Sequence, residues 1–337
     1  MSKKKKIINF IILFIAVALV LFFTLKDDFK DIIYEISNIN IWIYILVILI
    51  FLISHFFKSL GLYTFLNEYK KYTIKNSYEL TLISLFLNGV TPFQTGGQPF
   101  QIYLLRKGGM RVTDSTNAMI KDSIAYQIAL LLVAILALLF NIKLDVCEHS
   151  KYLILAVLFG FIINSVVLFL LLFVICAKKT GYKILNNLIN FIFKFKITKK
   201  YVSSKEKLKE SLNYFYENRN SIANNKKNFI IGTMFHIIHL ITLYFLPVLI
   251  FKSMGVKIGI LTSFTCVAFV MLIGNFIPIP GATGGIEYGF LQFFGKYVTG
   301  ALLSSGMLLW RFATYFFGLI VGSIILLFKR EDNKKWE

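Results

Sequence analysis

Apolar blocks about 20 residues long, separated by short charged loops, constrain this chain more than any other feature. That is the length at which an α-helix crosses ~30 Å of hydrocarbon. The continuous blocks are Ile7–Leu25, Ile41–Leu60, Ile120–Phe140, Lys151–Ile175, Phe229–Phe251, Ile260–Ile277 and Leu302–Phe328. They account for a chain that is 57% hydrophobic and only 16% charged, whereas a soluble protein is about 45–50% apolar. The expected fold is therefore all-α, a polytopic transmembrane helix bundle.

Met1–Leu25 has the outline of a signal peptide, with Lys3–Lys6 ahead of an apolar run. The run is long, and Thr24-Leu25-Lys26-Asp27-Asp28 offers no small-residue cleavage site, so an uncleaved first span is expected. The net charge of +20 does not point to nucleic acid. Lys and Arg gather in loops between apolar blocks, the positive-inside pattern, where anionic lipid headgroups are the natural partners. Cys147, Cys176 and Cys266 form no metal or redox motif.

Loop charge sets an expected topology. Lys3–Lys6 place the N-terminus in the cytoplasm. Lys26–Asn40, with Asp27, Asp28, Asp31 and Glu35 against two Lys, reads as outside. Glu68–Lys75 and the stretch with Arg106, Lys107 and Arg111 both read as inside, so the apolar segment between them, Tyr78–Leu105, must enter and return. Lys178–Asn228 carries thirteen Lys and Arg against three Glu and reads as a cytoplasmic loop, with Ser203–Asn220 a surface helix. With the C-terminus inside, Ile260–Phe294 must enter from outside and return there. The short loop Lys252–Lys257 is basic where this scheme needs it outside. The whole chain, 1–337, reads as one integral membrane domain with two broken hairpins of opposite sense, an inverted repeat.

Broken helices survive in lipid only where protein or a water-filled cavity covers their free N–H and C=O groups, so both interrupted segments are candidate sites. The first is Asn88-Gly89-Val90-Thr91-Pro92-Phe93-Gln94-Thr95-Gly96-Gly97-Gln98-Pro99. Asn88, Gln94, Gly96, Gly97, Gln98 and Gln101 either meet a lipid headgroup or satisfy the hairpin's own backbone. The second is Pro278-Ile279-Pro280-Gly281-Ala282-Thr283-Gly284-Gly285-Ile286-Glu287. Glu287 is an acid in an apolar stretch, functional by default and in need of a partner. Arg311 is the candidate, either in a site with Gly284 and Gly285 or in a purely structural ion pair. Gly281, Gly285 and Gly289, four apart, also suit close helix packing.

Other polar residues divide similarly. Lys121 and Asp122 open a span, where Asp122 either faces a cavity or caps the helix. Arg106 follows the first hairpin and joins the candidates. His236 and His239 are three apart with no acid beside them in sequence, so no metal site is expected; His55 reads as an interfacial or packed polar group. No Walker loop, dinucleotide fingerprint or catalytic triad pattern occurs, so neither a cofactor nor ATP-driven transport by this chain alone is expected.

Asn88 to Gln101 followed by Tyr103-Leu104, and Pro278 to Glu287 with Arg311 downstream, resemble the flippase-like family of the lysylphosphatidylglycerol synthase transmembrane region, the multiple peptide resistance factor. The resemblance covers nearly the whole chain in span order. It implies a membrane region that moves a lipid between leaflets, beside a soluble domain that transfers lysine from lysyl-tRNA to phosphatidylglycerol. The sequence stops at Glu337, nine residues after its last span, so this region is expected to stand without that transferase domain. The family's first motif often has a glutamate after the glycines, where this chain has Gln98. That leaves Glu287 as the better candidate to meet a cationic headgroup. The expected function is translocation of a polar phospholipid, aminoacylated ones included, in the cell membrane. The alternatives are a phosphatidylglycerol lysyltransferase, or part of one with a separate transferase partner, and a membrane scaffold. An oligomer is compatible with all three.

Overall fold

A computed structural model describes residues 29–147, 150–176, 225–275 and 277–331, with a few further positions between 182 and 213. Every described element is helical. The block Ile7–Leu25 and nearly all of Ser203–Asn220 lie outside the described residues. In chain order the helices are α1 (Phe29–Ser37), α2 (Ile41–Leu66), α3 (Ile74–Gly89), α4 (Gly97–Lys107), α5 (Val112–Leu144), α6 (Lys151–Cys176), α7 (Lys226–Tyr244), α8 (Leu246–Ser253), α9 (Ile260–Gly274), α10 (Gly285–Phe294), α11 (Gly300–Arg311) and α12 (Phe317–Glu331). Among the described residues five stretches are long and apolar enough to span a bilayer: Ile41–Leu66, Val112–Leu144, Lys151–Phe173, Lys226–Ser253 and Gly300–Lys329.

Several helices differ from their sequence-based bounds for identifiable reasons. Lys26–Asn40 is not all loop: α1 buries Ile32 and packs on α11, where the Ser305 hydroxyl donates to the Ile32 carbonyl at 3.4 Å. Asn40 then starts α2, accepting from the Trp42 and Ile43 N–H groups at 3.1 and 3.3 Å, an N-cap that satisfies donors the helix cannot. The block Phe229–Phe251 is divided between α7 and α8 at Phe245, where Pro247 supplies no N–H to continue the ladder. The last span contains a π-helical turn, Phe312–Phe316, between α11 and α12.

Contacts identify the two ends of the bundle. At one end the Lys70 ammonium donates to the Gly108 carbonyl at 2.7 Å, joining the end of α2 to the end of α4. Asn228, near the start of α7, donates to Glu68 at 3.1 Å, and Lys329 pairs with Glu79 of α3. At the other end the Asn40 N–H donates to the Ser253 carbonyl at 2.8 Å, and Lys296 donates to the Asp145 carbonyl at 2.7 Å. So α3 and α4 start and finish at the first end, and α9 and α10 at the second. The two hairpins enter the bundle in opposite senses.

The core beside the second hairpin is aromatic. Phe290 stacks on Phe294 at 4.3 Å and on Trp310 at 5.0 Å, and all three are buried. Such pairs add about 0.5–1.5 kcal/mol each beyond their buried area. Cys147 and Cys266 are free thiols in this core. Burial, helped by Asp145 and opposed by Lys296, pushes the Cys147 thiol up to about 11.

Candidate functional site

The first hairpin turns where its sequence forbids a continuous helix. Pro92 opens a 3₁₀ turn, Pro92–Gln94, and its fixed φ and missing N–H suit that position. Phe93 and Gln94 both take φ of 54°, a left-handed conformation that costs an L-residue about 1–2 kcal/mol. Side chains of the same hairpin then hold the start of α4. The Thr91 hydroxyl accepts from the Gly96 N–H at 2.9 Å, and Asn88 Oδ1 accepts from the Gly97 N–H at 2.8 Å. Gln101 is buried and donates to the Leu80 carbonyl at 3.2 Å. Asn88, Gly96, Gly97 and Gln101 therefore serve the hairpin's own backbone. Gln98 is exposed and donates to Ser123 of α5 at 2.8 Å, Gln94 is half-buried at the turn, and Arg106 is exposed at the distal end of α4.

The second hairpin repeats the device. Pro280 opens a 3₁₀ turn, Pro280–Ala282, and Gly281, Ala282 and Gly284 take φ of 65°, 50° and 90°. Gly281 has a second constraint: a Cβ there would lie 2.5 Å from the Tyr315 ring. Gly285 begins α10, and Glu287 accepts from the Gly284 N–H at 2.7 Å through Oε2. A carboxylate on a helix N-terminus is favoured by the unsatisfied donors and the dipole. The other oxygen, Oε1, lies 2.7 Å from Arg311 Nε. It sits off the N–H direction, so this is a close charge contact rather than an aligned hydrogen bond.

Arg311 ties this pair to both hairpins. Its Nη2 donates to the Gly281 carbonyl at 3.2 Å, and its guanidinium lies 4.4 Å from the centre of the Tyr315 ring. The Tyr315 hydroxyl donates to the Gly89 carbonyl of the first hairpin at 3.0 Å. The two 3₁₀ turns also pack on each other. Glu287, Arg311, Tyr315 and the turns thus form one assembly inside the bundle, with Glu287 and Arg311 exposed by only 7% and 4%. The π-helical turn follows Arg311 and contains Tyr315, an irregularity of a kind common at functional sites. Tyr315 was not legible as a site residue; its aromatic neighbours in Tyr315-Phe316-Phe317 hide it in an apolar run.

The remaining polar residues required correction. Lys121 and Asp122 do not start a helix. α5 begins at Val112, so both lie inside it and Asp122 caps nothing. Lys121 pairs with Glu68 at 2.5 Å, with both side chains buried. Asp122 meets His236 of α7 at 2.9 Å, so an acid does stand beside that histidine, brought from another helix. His55 is buried and bonded through Nδ1 to the Phe51 carbonyl at 2.9 Å. Among the described residues no group of three His, Cys, Asp or Glu is placed to hold a metal. A groove of about 340 Å³, lined by Leu60, Tyr63, Thr64, Asn67, Asn228, Ile231 and Phe235, lies between α2 and α7 rather than between the hairpins.

The model of one protein family, the lysylphosphatidylglycerol synthase TM region, matches residues 9–322 of the chain. The comparison with curated proteins finds no match.

Proposed function

The chain belongs to the lysylphosphatidylglycerol synthase TM-region family, and from that premise we propose that it moves a polar phospholipid between the leaflets of the cell membrane. The observation that carries the reading is the meeting of two oppositely inserted, broken hairpins at a buried Glu287–Arg311 pair. Apolar packing would satisfy a scaffold at lower desolvation cost, since buried ion pairs are often no better than hydrophobic replacements. Ionisable groups at such depth mark substrate or ion pathways. A headgroup passing between the hairpins would part the two turns. Its phosphate would compete with Glu287 for Arg311 and for the Gly284 and Gly285 N–H groups; an amine on the headgroup would take Glu287. Gln94 and Gln98, the glutamines of the first hairpin not committed to backbone repair, would contact the headgroup from the other side.

The test is transbilayer movement of labelled phospholipids in liposomes containing the purified protein. Glu287→Gln alone strands Arg311 and endangers the fold, so the informative variants are Glu287→Gln/Arg311→Met and Tyr315→Phe. Both are expected to fold. The first should slow lipid movement by at least about tenfold, a barrier change near 1.4 kcal/mol. A folded double variant that moves lipid at the wild-type rate would overturn the reading.

The family's name favours a second reading: this chain as the membrane part of a lysylphosphatidylglycerol synthase, working with a separate transferase. Lysine transfer from lysyl-tRNA to phosphatidylglycerol that requires this chain would support it. The basic end with Lys70, Lys71, Lys75 and Lys107 is assigned to the cytoplasm on the positive-inside rule, facing anionic headgroups.

A further inference from the structure

A second polar assembly lies among α2, α5 and α7, away from the hairpin turns. We propose that it is a proton-binding path, running from the Glu68 end of the bundle to its middle through Asp122, His236 and His239, and that it lets a pH gradient drive the lipid step. The coupling rests on the lipid-moving reading; the proton site does not.

At the outer end, Glu68 contacts Lys121 at 2.5 Å and Asn228 at 3.1 Å. One residue after Lys121, Asp122 Oδ1 lies 2.9 Å from His236 Nε2. Tyr126, one helical turn on, presents its ring edge-on to His236 at 5.6 Å and lies 6.5 Å from His239. His239 Nδ1 is 2.7 Å from the Ser54 hydroxyl, and its ring meets His55 at 5.0 Å. At ~1.5 Å per residue, Gly61, which packs on His236, is roughly 8 Å along α2 from its end at Leu66, and His55 roughly 16 Å. The titratable groups therefore extend from one end of the bundle toward its middle, with Asp122 and His236 hydrogen-bonded and the other steps made through ring contacts. Lys58, over the Tyr126 ring at 5.1 Å, is the other cation facing it and is attracted to Asp122 as well.

Packing alone does not explain this arrangement. His236 is 0% exposed, yet its Nδ1 has no hydrogen-bond partner, and a buried polar atom left unpaired is costly. With Nε2 facing a carboxylate, Nε2 carries the hydrogen and Nδ1 presents its lone pair. That lone pair can accept a proton delivered from water at the Glu68 end. The imidazolium so formed would be neutralised by Asp122, and the proton would leave toward the opposite side as the lipid step turns the site that way, the net transfer that a pH gradient can drive. Gly61 leaves room for the ring, because a Cβ there would lie 2.9 Å from His236 Nε2. The inner end touches the lipid-site machinery. His55 packs on Phe51 at 4.2 Å, and Phe51 packs on Phe317 at 6.0 Å, immediately after the π-helical turn that carries Tyr315.

Nitrogen NMR of the protein, labelled with ¹⁵N at its histidine rings and embedded in lipid nanodiscs, tests the site between pH 5 and 8. A ring that changes protonation state, disappears in His236→Gln and loses its pH response in Asp122→Asn is the expected result. All buried rings fixed in one neutral form across that range would overturn the proposal. In the liposome assay, an imposed gradient of one pH unit should drive up to about a tenfold lipid asymmetry if one proton accompanies each lipid, and Asp122→Asn should abolish it. Lipid movement indifferent to the gradient would refute the coupling while leaving the lipid reading intact. Absence of all lipid movement would remove the coupling together with that reading, and the histidine titration alone would then decide the proton site.

Discussion

Glu287 serves three groups with two oxygens: the Gly284 N–H, the Arg311 guanidinium and, through Arg311, the Gly281 carbonyl. The turn that presents it is equally constrained, which separates two neighbouring glycines. Gly281 and Gly284 both have positive φ, but a Cβ at Gly281 meets the Tyr315 ring at 2.5 Å whereas one at Gly284 meets nothing within 4 Å. Gly284→Ala meets open space but must hold φ 90° with ψ −49°, outside the left-handed well, at about 1–3 kcal/mol. Gly281→Ala holds φ 65° with ψ 9°, within that well, at about 1–2 kcal/mol, and must also displace the Tyr315 ring. Thermal unfolding in detergent is expected to place both variants below wild type; a Gly281→Ala protein as stable as wild type would contradict the packing of Tyr315 on this turn. Burial of a charge makes a similar contrast at Lys121. Lys121→Met leaves the Glu68 carboxylate buried without its cation, at a cost of about 3–5 kcal/mol, and Lys121→Met/Glu68→Gln should recover much of it. A double variant no more stable than the single one would mean that the pair is not the source of the loss.

The two hairpins solve one problem twice: an apolar helix must stop inside a bundle without leaving bare backbone. Each uses a proline-led 3₁₀ turn with left-handed residues and then restarts a short helix whose first N–H groups meet a side chain of the same hairpin. The cap is neutral in the first hairpin, from Asn88 and Thr91, and anionic in the second, from Glu287. Asn88→Ala should therefore lower stability by about 1 kcal/mol, as loss of a helix cap does elsewhere, without removing any charge from the site. Urea unfolding of the two proteins in detergent checks this; a variant as stable as wild type would show that α4 does not need the cap. These breaks were legible because Pro and Gly mark them at any level of packing. The extension of α5 back to Val112 was not. Lys121 and Asp122 looked like a membrane boundary, and only Glu68 and His236, contributed by other helices, make their burial tolerable.

The whole molecule is organised by opposition: α3 and α4 open at one end, α9 and α10 at the other, and the turns meet between them. Charge distinguishes the ends in degree, with Lys70, Lys71, Lys75, Arg106, Lys107, Arg111, Lys226, Lys227 and Lys329 against Glu68, Glu79 and Asp114 at the first, and Lys30, Lys143, Lys151, Lys252, Lys257 and Lys296 against Asp31, Glu35 and Asp145 at the second. In cells carrying Lys71→Cys or Lys257→Cys, a membrane-impermeant maleimide should label only the second from outside. Both positions are exposed, the native Cys147 and Cys266 are buried, and Cys176→Ser in both backgrounds removes the third native thiol. The opposite labelling pattern would invert the assigned topology.

Apolar block length by itself determined that this chain is a membrane helix bundle, because a hydrocarbon layer about 30 Å thick accepts little else. Local chemistry determined the hairpin breaks, and a lone acid and a lone arginine in apolar surroundings had few choices but each other. The tertiary structure decided what depends on partners far apart in the chain: Tyr315 bridging to Gly89, 226 residues away, and Asp122 joining His236, 114 residues away. Periodicity and loop charge report on one helix at a time, whereas a buried polar group is made stable by whichever neighbour the packing brings to it.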